Sequence, residues 1–423
     1  MIMQKRAFAS LEKLREIEKV YPTPFHLYNE AGIRNTAKAM NAAFSWNKGF
    51  KEYYAVKACP NPFILKILKE EGCGVDCASI PELMLAQACG FEGDEIMFSS
   101  NETKPEEYVY ARKVNAIINL DDITHIDFLA ENGGLPEKIC LRFNPGGDLT
   151  IGATCMGHPE ESKYGMTRDQ IFEAVKIMMG RGVKSFAIHA LLASNAIEPH
   201  YYPENAALLF GLAADLHKEL GADIFMVNLS GGVGIAYRPE DETPDIAEVG
   251  AGVKEVYERI FAANGMENVR VGSELGRYIT GPHGILVSTA IHEKHIYREY
   301  IGVNACACDL MRPAIYGAYH HITIPGKEDA PCDHVYDVVG SLCENNDKFA
   351  VQRQLPKIDM GDLVVIHDTG AHGYAMGYNY NGKLKSAEIL LHPDGTFSMI
   401  RRAETPKDYF STFDFCDIMK DFM

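Results

Sequence analysis

No stretch of about 18 apolar residues occurs anywhere in the 423-residue chain, so no membrane span is expected. The amino-terminal segment MIMQKRAFASLEKLREIEKV alternates charged and apolar residues and lacks an apolar run of signal-peptide length. Export is therefore not expected, and a cytoplasmic location is. Glycine and proline, at 37 and 20, are not in excess, which excludes collagen-like, disordered and low-complexity classes. Basic residues are in deficit: 41 Lys and Arg stand against 58 Asp and Glu, a net charge of -17. Such a surface repels nucleic acid and anionic membrane, so neither is an expected partner, and an anionic ligand needs a local cationic pocket. The eleven cysteines have no secreted-scaffold spacing and are expected to be reduced. Cys73 with Cys77 and Cys306 with Cys308 lack a second Cys or His pair, so no metal is expected.

What is present is a series of short β-branched or apolar runs separated by amphipathic segments. The candidate strands are 52–57 (EYYAVK), 74–78 (GVDCA), 95–99 (EIMFS), 115–120 (NAIINL), 138–143 (KICLRF), 185–190 (SFAIHA), 224–229 (IFMVNL) and 269–273 (VRVGS). Between them, segments such as PFILKILKEEG repeat apolar residues at three and four and stop at glycine, as helices do. Eight strand and helix alternations predict an α/β fold of the (β/α)8 TIM-barrel type. A doubly wound open sheet has the same alternation, and strand counting alone does not separate the two. After about residue 280 the strands follow without long helices, which predicts a C-terminal, mostly β domain. Residues 22–29 (PTPFHLYN) read as a strand that joins it. The expected division is a cofactor-binding barrel at 30–280, and a β-rich domain made of 1–29 together with 281–423.

In such a barrel the reactive side chains sit where the strands end. Strand 52–57 delivers Lys57, and partial burial there would favour the neutral amine that Schiff-base formation needs. A lone lysine at a strand end more often snorkels to solvent. The run NLSGGVGIAY contains Ser230, Gly231, Gly232 and Gly234, which permit close backbone approach to a phosphate, although a tight connection alone explains such a turn. SELGRYITG presents Glu274 and Arg277: a carboxylate that can keep a pyridine nitrogen protonated and a guanidinium that can grip a phosphate, or else a surface ion pair. SLCENNDKFA sets Cys343 beside Glu344 in a polar turn. There a thiol can donate a proton or attack as a nucleophile, while most cysteines are inert small hydrophobes. Together an amine, a phosphate cradle, a pyridinium partner and a proton donor suit pyridoxal 5'-phosphate.

At these motifs the chain resembles the fold-type III pyridoxal-phosphate decarboxylases, with their alanine-racemase-like barrel, and within them the diaminopimelate decarboxylases. The likeness extends from about residue 22 to near the C-terminus. It runs through YYAVKA around Lys57, GVDCAS around Asp76, RFNPG at 142–146, SKYG at 162–165, SGGVG, ELGR at 274–277, DLMRPAIYGAYH at 309–320, CENND at 343–347 and YNYNGKLKSAEIL at 378–390. The resemblance implies a pyridoxal-dependent carboxy-lyase acting on meso-2,6-diaminopimelate to give L-lysine, as in lysine biosynthesis, and a homodimer with shared active sites. It implies that Lys57 holds the cofactor as a Schiff base and that Glu274 pairs with the pyridinium. Gly231, Gly232, Ser194 and Arg277 would hold the phosphate, and Asp76 and His189 fall at further cofactor-binding positions. Cys343, assisting protonation, and Glu344, holding the substrate amino group, would enter from the neighbouring subunit. Arg312 and Tyr316 resemble the pair that meets the distal carboxylate of a diacid, with Arg277 also facing substrate. The sequence Cys343, Glu344, Asn345, in place of the Cys, Asp, Gly usual in ornithine-type enzymes, favours the same substrate.

Three positions depart from the family pattern. Leu191 stands where a histidine usually stacks on the cofactor ring, with His189 two residues earlier on the same strand face, deeper in the barrel. His372, in GAHG, replaces a common tyrosine at the cofactor phosphate and substrate, and Tyr380 or Tyr378 would supply the missing hydroxyl. Leu275 replaces a proline between Glu274 and Arg277, which is expected to loosen that turn. Rival readings are a decarboxylase of carboxynorspermidine, ornithine, arginine or lysine, and a noncatalytic regulatory paralogue. A barrel metallohydrolase needs ligands clustered at strand ends, and His189 alone is too few.

Overall fold

The computed structural model describes residues 5–147 and 158–413. Cys155 and Cys416 lie outside them, and the nine cysteines within are free. So do residues 1–4 of the amino-terminal segment read above for export. The chain divides into two compact units: one is Arg34–Ile235 with Glu242–Ile279, and the other is the residues up to Ile33, Ala236–Asp241 and those from Thr280 onward.

The first unit is the expected barrel. After the strand β1 (Phe25–Asn29), which belongs to the other unit, eight strands close in sequence order: β2 (Lys51–Ala55), β3 (Gly74–Cys77), β4 (Ile96–Ser99), β5 (Ile117–Leu120), β6 (Lys138–Arg142), β7 (Ser185–His189), β8 (Asp223–Asn228) and β9 (Arg270–Ser273). All pairs are parallel, and closure is made by β2 on β9, with Lys51 opposite Gly272 and Glu52 opposite Ser273. Closure excludes the open-sheet alternative.

Helices separate the strands because their sequences carry both the stripe and the stop. Pro62–Glu70 begins with Asn61, whose side chain accepts from the Phe63 amide, and has proline in its first turn; it buries Ile64, Leu65, Ile67 and Leu68. Inside the barrel Tyr53, Met97, Ile117, Cys140, Ala187 and Met226 form one buried apolar layer, one residue from each of six strands. Burial of each large side chain contributes roughly 1.5–3 kcal/mol. This layer plugs the barrel and sets a floor for whatever lies above it.

The second unit is a mixed sheet. Its strands are β10 (Gly284–His295), β11 (Glu299–Val303), β12 (Ile322–Thr323), β13 (His334–Val339), β14 (Lys348–Leu355), β15 (Leu363–Ile366), β16 (Ala387–Leu391) and β17 (Phe397–Arg401), in the order β14-β13-β11-β10-β1-β16-β17, with β15 on β10 and β12 on β15. The N-terminal strand β1 lies between β10, antiparallel, and β16, parallel, as its sequence predicted. Strand β14 escaped the sequence reading because it has no clean alternation: Val351, Gln352 and Gln354 are exposed in succession with Arg353 half-buried. No helix among the described residues is long and apolar enough to cross a membrane.

Candidate active site

Side chains on a strand alternate in facing, so the residue two positions beyond each apolar plug residue points into the barrel one level higher. Beyond Met97, Ile117, Cys140, Ala187 and Met226 these are Ser99, Asn119, Arg142, His189 and Asn228. Register agrees: Arg142 lies opposite His189, and His189 opposite Asn228. A polar layer therefore sits on the apolar floor at the C-terminal strand ends.

Glu274, the residue after β9, enters this layer. Its carboxylate accepts from His189 Nε2 at 3.1 Å, Asn228 Nδ2 at 2.7 Å and Ser230 Oγ at 3.2 Å. Burial by itself would push the Glu274 carboxyl up, but the His189 charge and hydrogen bond, with Lys57 and Asn228, hold it below the usual carboxylate range. Asp76 is driven the other way, well above its usual range, first by burial and then by the charge of Glu274, with Lys57 opposing. Two carboxyls of a single buried cluster are thus driven apart, Glu274 toward its ionised form and Asp76 toward its protonated form. Three buried atoms of this layer lack partners: Asp76 Oδ1, Asn119 Oδ1 and His189 Nδ1.

The turn after β8 is shaped by glycine. Gly232 has φ +114°, and a Cβ there would lie 2.6 Å from the Tyr201 ring; a Cβ on Gly231 would lie 2.9 Å from the Glu274 carbonyl oxygen. Ser230, also at positive φ, accepts at its carbonyl from Tyr202 and from the Glu274 amide, tying the turn to β9. Nearby, Arg277 Nη2 donates to Ser194 Oγ at 3.2 Å. The sequence-derived group Lys57, Asp76, His189, Ser194, Gly231, Gly232, Glu274 and Arg277 thus lies at the strand ends of one barrel.

Two local expectations change. Strand β2 ends at Ala55, and Lys57 occupies a one-turn 3-10 helix, Val56–Ala58, where its neighbours are buried and Lys57 itself is exposed. The turn carries the amine past the strand end, so the partial burial expected of it is not found within the chain. Leu275 does not loosen its turn: its amide donates to Glu52 Oε1 at 2.6 Å, a bond that proline, lacking an N–H, could not make. His189 is buried edge-on to Glu274, while Leu191 is half-buried beside Arg142 and Tyr164.

Glu52 is a residue the sequence reading missed. Fully buried, it accepts from the Ser273 hydroxyl and the Leu275 amide, bracketing Glu274, and burial pushes its carboxyl up to about 8 against those bonds. Asn228 and Arg142, which pairs with Asp121 at 3.2 Å, were missed likewise. For Asn228 and Arg142 the available signal was a polar residue at the last inward position of an otherwise apolar strand; Glu52, at the start of β2 and facing away from Tyr53, carried no such signal.

The remaining candidates belong to the β unit. Cys343 and Glu344 stand exposed on the loop before β14, where the Cys343 amide donates to Asn381 Oδ1 at 2.7 Å, beside the turn that carries Tyr380. Buried Asp347 pins that loop by accepting from the Leu342 and Ala307 amides, both at 2.8 Å. Arg312 is buried in the first turn of the short helix Arg312–Tyr316, whose last residue, Tyr316, is exposed. His372 is half-buried at positive φ.

A family model described as pyridoxal-dependent decarboxylase, pyridoxal binding domain, matches residues 30–281. Protein TabA of Pseudomonas amygdali pv. tabaci is 40% identical over 396 residues, covering 94% of this chain and 92% of its own. The diaminopimelate decarboxylase of Methanothermobacter thermautotrophicus is 32% identical over 399 residues, covering 93% of this chain and 92% of its own. The crystal structure of diaminopimelate decarboxylase from M. jannaschii in co-complex with L-lysine is similar with a TM-score of 0.84 and 26% identity, covering 94% of this chain and 93% of that one.

Proposed function

Because the chain belongs to the pyridoxal-dependent decarboxylases, we propose that it decarboxylates meso-2,6-diaminopimelate at its D-centre, giving L-lysine and carbon dioxide. The observation that carries the reading is the ionised, triply held Glu274 at the barrel's strand ends. The residues present fit pyridoxal phosphate, since unpartnered Asp76 Oδ1 and His189 Nδ1 lie in the same cluster as Glu274, and since the backbone turn at Gly231 and Gly232 tolerates no Cβ. The cofactor supplies an electron sink for the electrons left when carbon dioxide departs. Lys57 would hold it through its amine, and Glu274 would keep a proton on the ring nitrogen. Gly231, Gly232, Ser194 and Arg277 would hold the phosphate, with the Tyr380 hydroxyl and His372 supplementing cofactor and substrate contacts. Within a homodimer, Cys343 and Glu344 of a second copy would complete the site, the thiol delivering a proton and the carboxylate holding the substrate amine. Arg312 and Tyr316 would meet the distal carboxylate.

A related amino-acid substrate is the second reading. Leu191 and His372 favour it, and so does 40% identity to a protein whose name, TabA, states no diaminopimelate activity. The experiment is carbon dioxide release from meso-diaminopimelate with and without added pyridoxal phosphate, with Lys57→Ala as control, beside carboxynorspermidine, ornithine, arginine and lysine. Cofactor-dependent release from diaminopimelate, lost in the variant, is expected. Release from another substrate alone overturns the assignment in favour of the second reading.

A further inference from the structure

We propose that His320 and Tyr237 are positioning residues that aim the Arg312 guanidinium at the distal carboxylate of the substrate. The inference rests on the role given to Arg312 above. Arg312 Nη1 donates to the Tyr237 hydroxyl oxygen at 2.8 Å and to His320 Nε2 at 3.0 Å. The guanidinium lies 4.8 Å from the Tyr237 ring centroid, and the Tyr237 and His320 rings meet edge to face at 5.1 Å. All three side chains are buried, His320 completely.

The chemistry of the partners fixes the state of His320. Its Nδ1 lies 2.7 Å from the carbonyl oxygen of His367, which can only accept, so Nδ1 carries the hydrogen. Its Nε2 faces a guanidinium, which can only donate, so Nε2 offers its lone pair. His320 is therefore the neutral Nδ1–H tautomer, and both partners recorded for Nη1 are neutral groups. A buried carboxylate at the same place would cancel the guanidinium charge and compete with an incoming substrate carboxylate. A phenol and an imidazole orient the fork and bring no negative charge of their own. Of the groups around it, burial lowers His367 to about 3 and His321 to about 4, so both are neutral, while the buried Asp368 carboxylate, which feels the Arg312 charge, is ion-paired by Lys5 at 2.5 Å.

Steady-state kinetics of the holoenzyme on meso-diaminopimelate test this with His320→Leu, His320→Gln and Tyr237→Phe. His320→Leu removes the acceptor and is expected to raise KM about ten- to a hundredfold, the cost of a buried hydrogen bond to a charged donor, with kcat within about threefold. His320→Gln, which restores an acceptor, is expected to recover most of that loss. D-lysine, which has the same reacting centre but no distal carboxylate, is measured as a competitive inhibitor and is expected to bind the variants as it binds wild type. Unchanged visible absorbance of the bound cofactor reports an intact fold, and Tyr237→Phe carries the test if His320→Leu does not fold. A fall in kcat at constant KM, or equal weakening of D-lysine, overturns the inference while leaving the activity standing. Absence of wild-type turnover overturns the reading itself, and the inference with it.

Discussion

Glu274 receives three hydrogen bonds, from His189 at the end of β7, Asn228 at the end of β8 and Ser230 in the turn that follows it. A carboxylate so held costs no reorganisation when positive charge appears opposite it, which is where electrostatic catalysis draws its strength. Glu274→Gln keeps the shape and loses the charge. It is expected to lower kcat by on the order of 10²–10³ while Lys57 still binds cofactor, measured as single-turnover carbon dioxide release alongside the cofactor spectrum. Glu52 behaves differently, because burial raises its carboxyl from 4.5 to about 8. Between those values the folded chain keeps a proton that the unfolded chain has released, so this group costs stability increasingly as pH rises from about 4.5 to about 8. Glu52→Gln is expected to remove that slope. Thermal midpoints at pH 5 and pH 8 check it, and a wild type and variant that lose stability in parallel would contradict it.

At the scale of elements, the loop carrying Cys343 and Glu344 is held from beneath as well as at its tip, where the Cys343 amide meets Asn381. Buried Asp347 receives the Leu342 and Ala307 amides, joining the loop to the segment after β11. Asp347→Ala leaves the buried Ala307 amide and the half-buried Leu342 amide without this acceptor, which costs about 1–3 kcal/mol for a buried group left unsatisfied. The expected outcome is a lower unfolding midpoint and at least tenfold lower kcat, with cofactor binding by the barrel residues preserved. Loss of cofactor absorbance in step with activity would instead mean that Asp347 acts through global folding. The turn after β8 has an opposite design: it is fixed by exclusion of side chains at Gly231 and Gly232, with Tyr201 filling the space a Cβ would need.

At the scale of the whole molecule, the proposed site requires residues from two copies. Mixing Lys57→Ala subunits with Cys343→Ala subunits tests this without any structural measurement. Random exchange makes about half the dimers mixed, each with one intact site, so about a quarter of wild-type activity should return from two inactive stocks. No recovery, with exchange verified by differential tagging, would place Cys343 and Lys57 in the same copy's site, and an active Cys343→Ala stock would remove Cys343 from it.

The sequence by itself determined the eight-strand alternation, the β-rich second unit and the strand Phe25–Asn29 within it, because periodicity two and periodicity 3.6 are local properties of neighbouring residues. It also marked Lys57, Glu274 and Arg277, since charged residues ending apolar strands are visible without a structure. Strand β14 was not legible, because its run of exposed residues has no inward period. Only the tertiary structure decided what those residues touch. Glu52 and Leu275 are 223 positions apart, His189 and Glu274 are 85 apart, and Arg312 and Tyr237 are 75 apart. The first of these meetings follows from closing the first barrel strand onto the last, which turns a leucine in place of proline from an expected weakness into a hydrogen bond. Contacts of that kind depend on strand register and ring closure, which chain-local patterns do not encode.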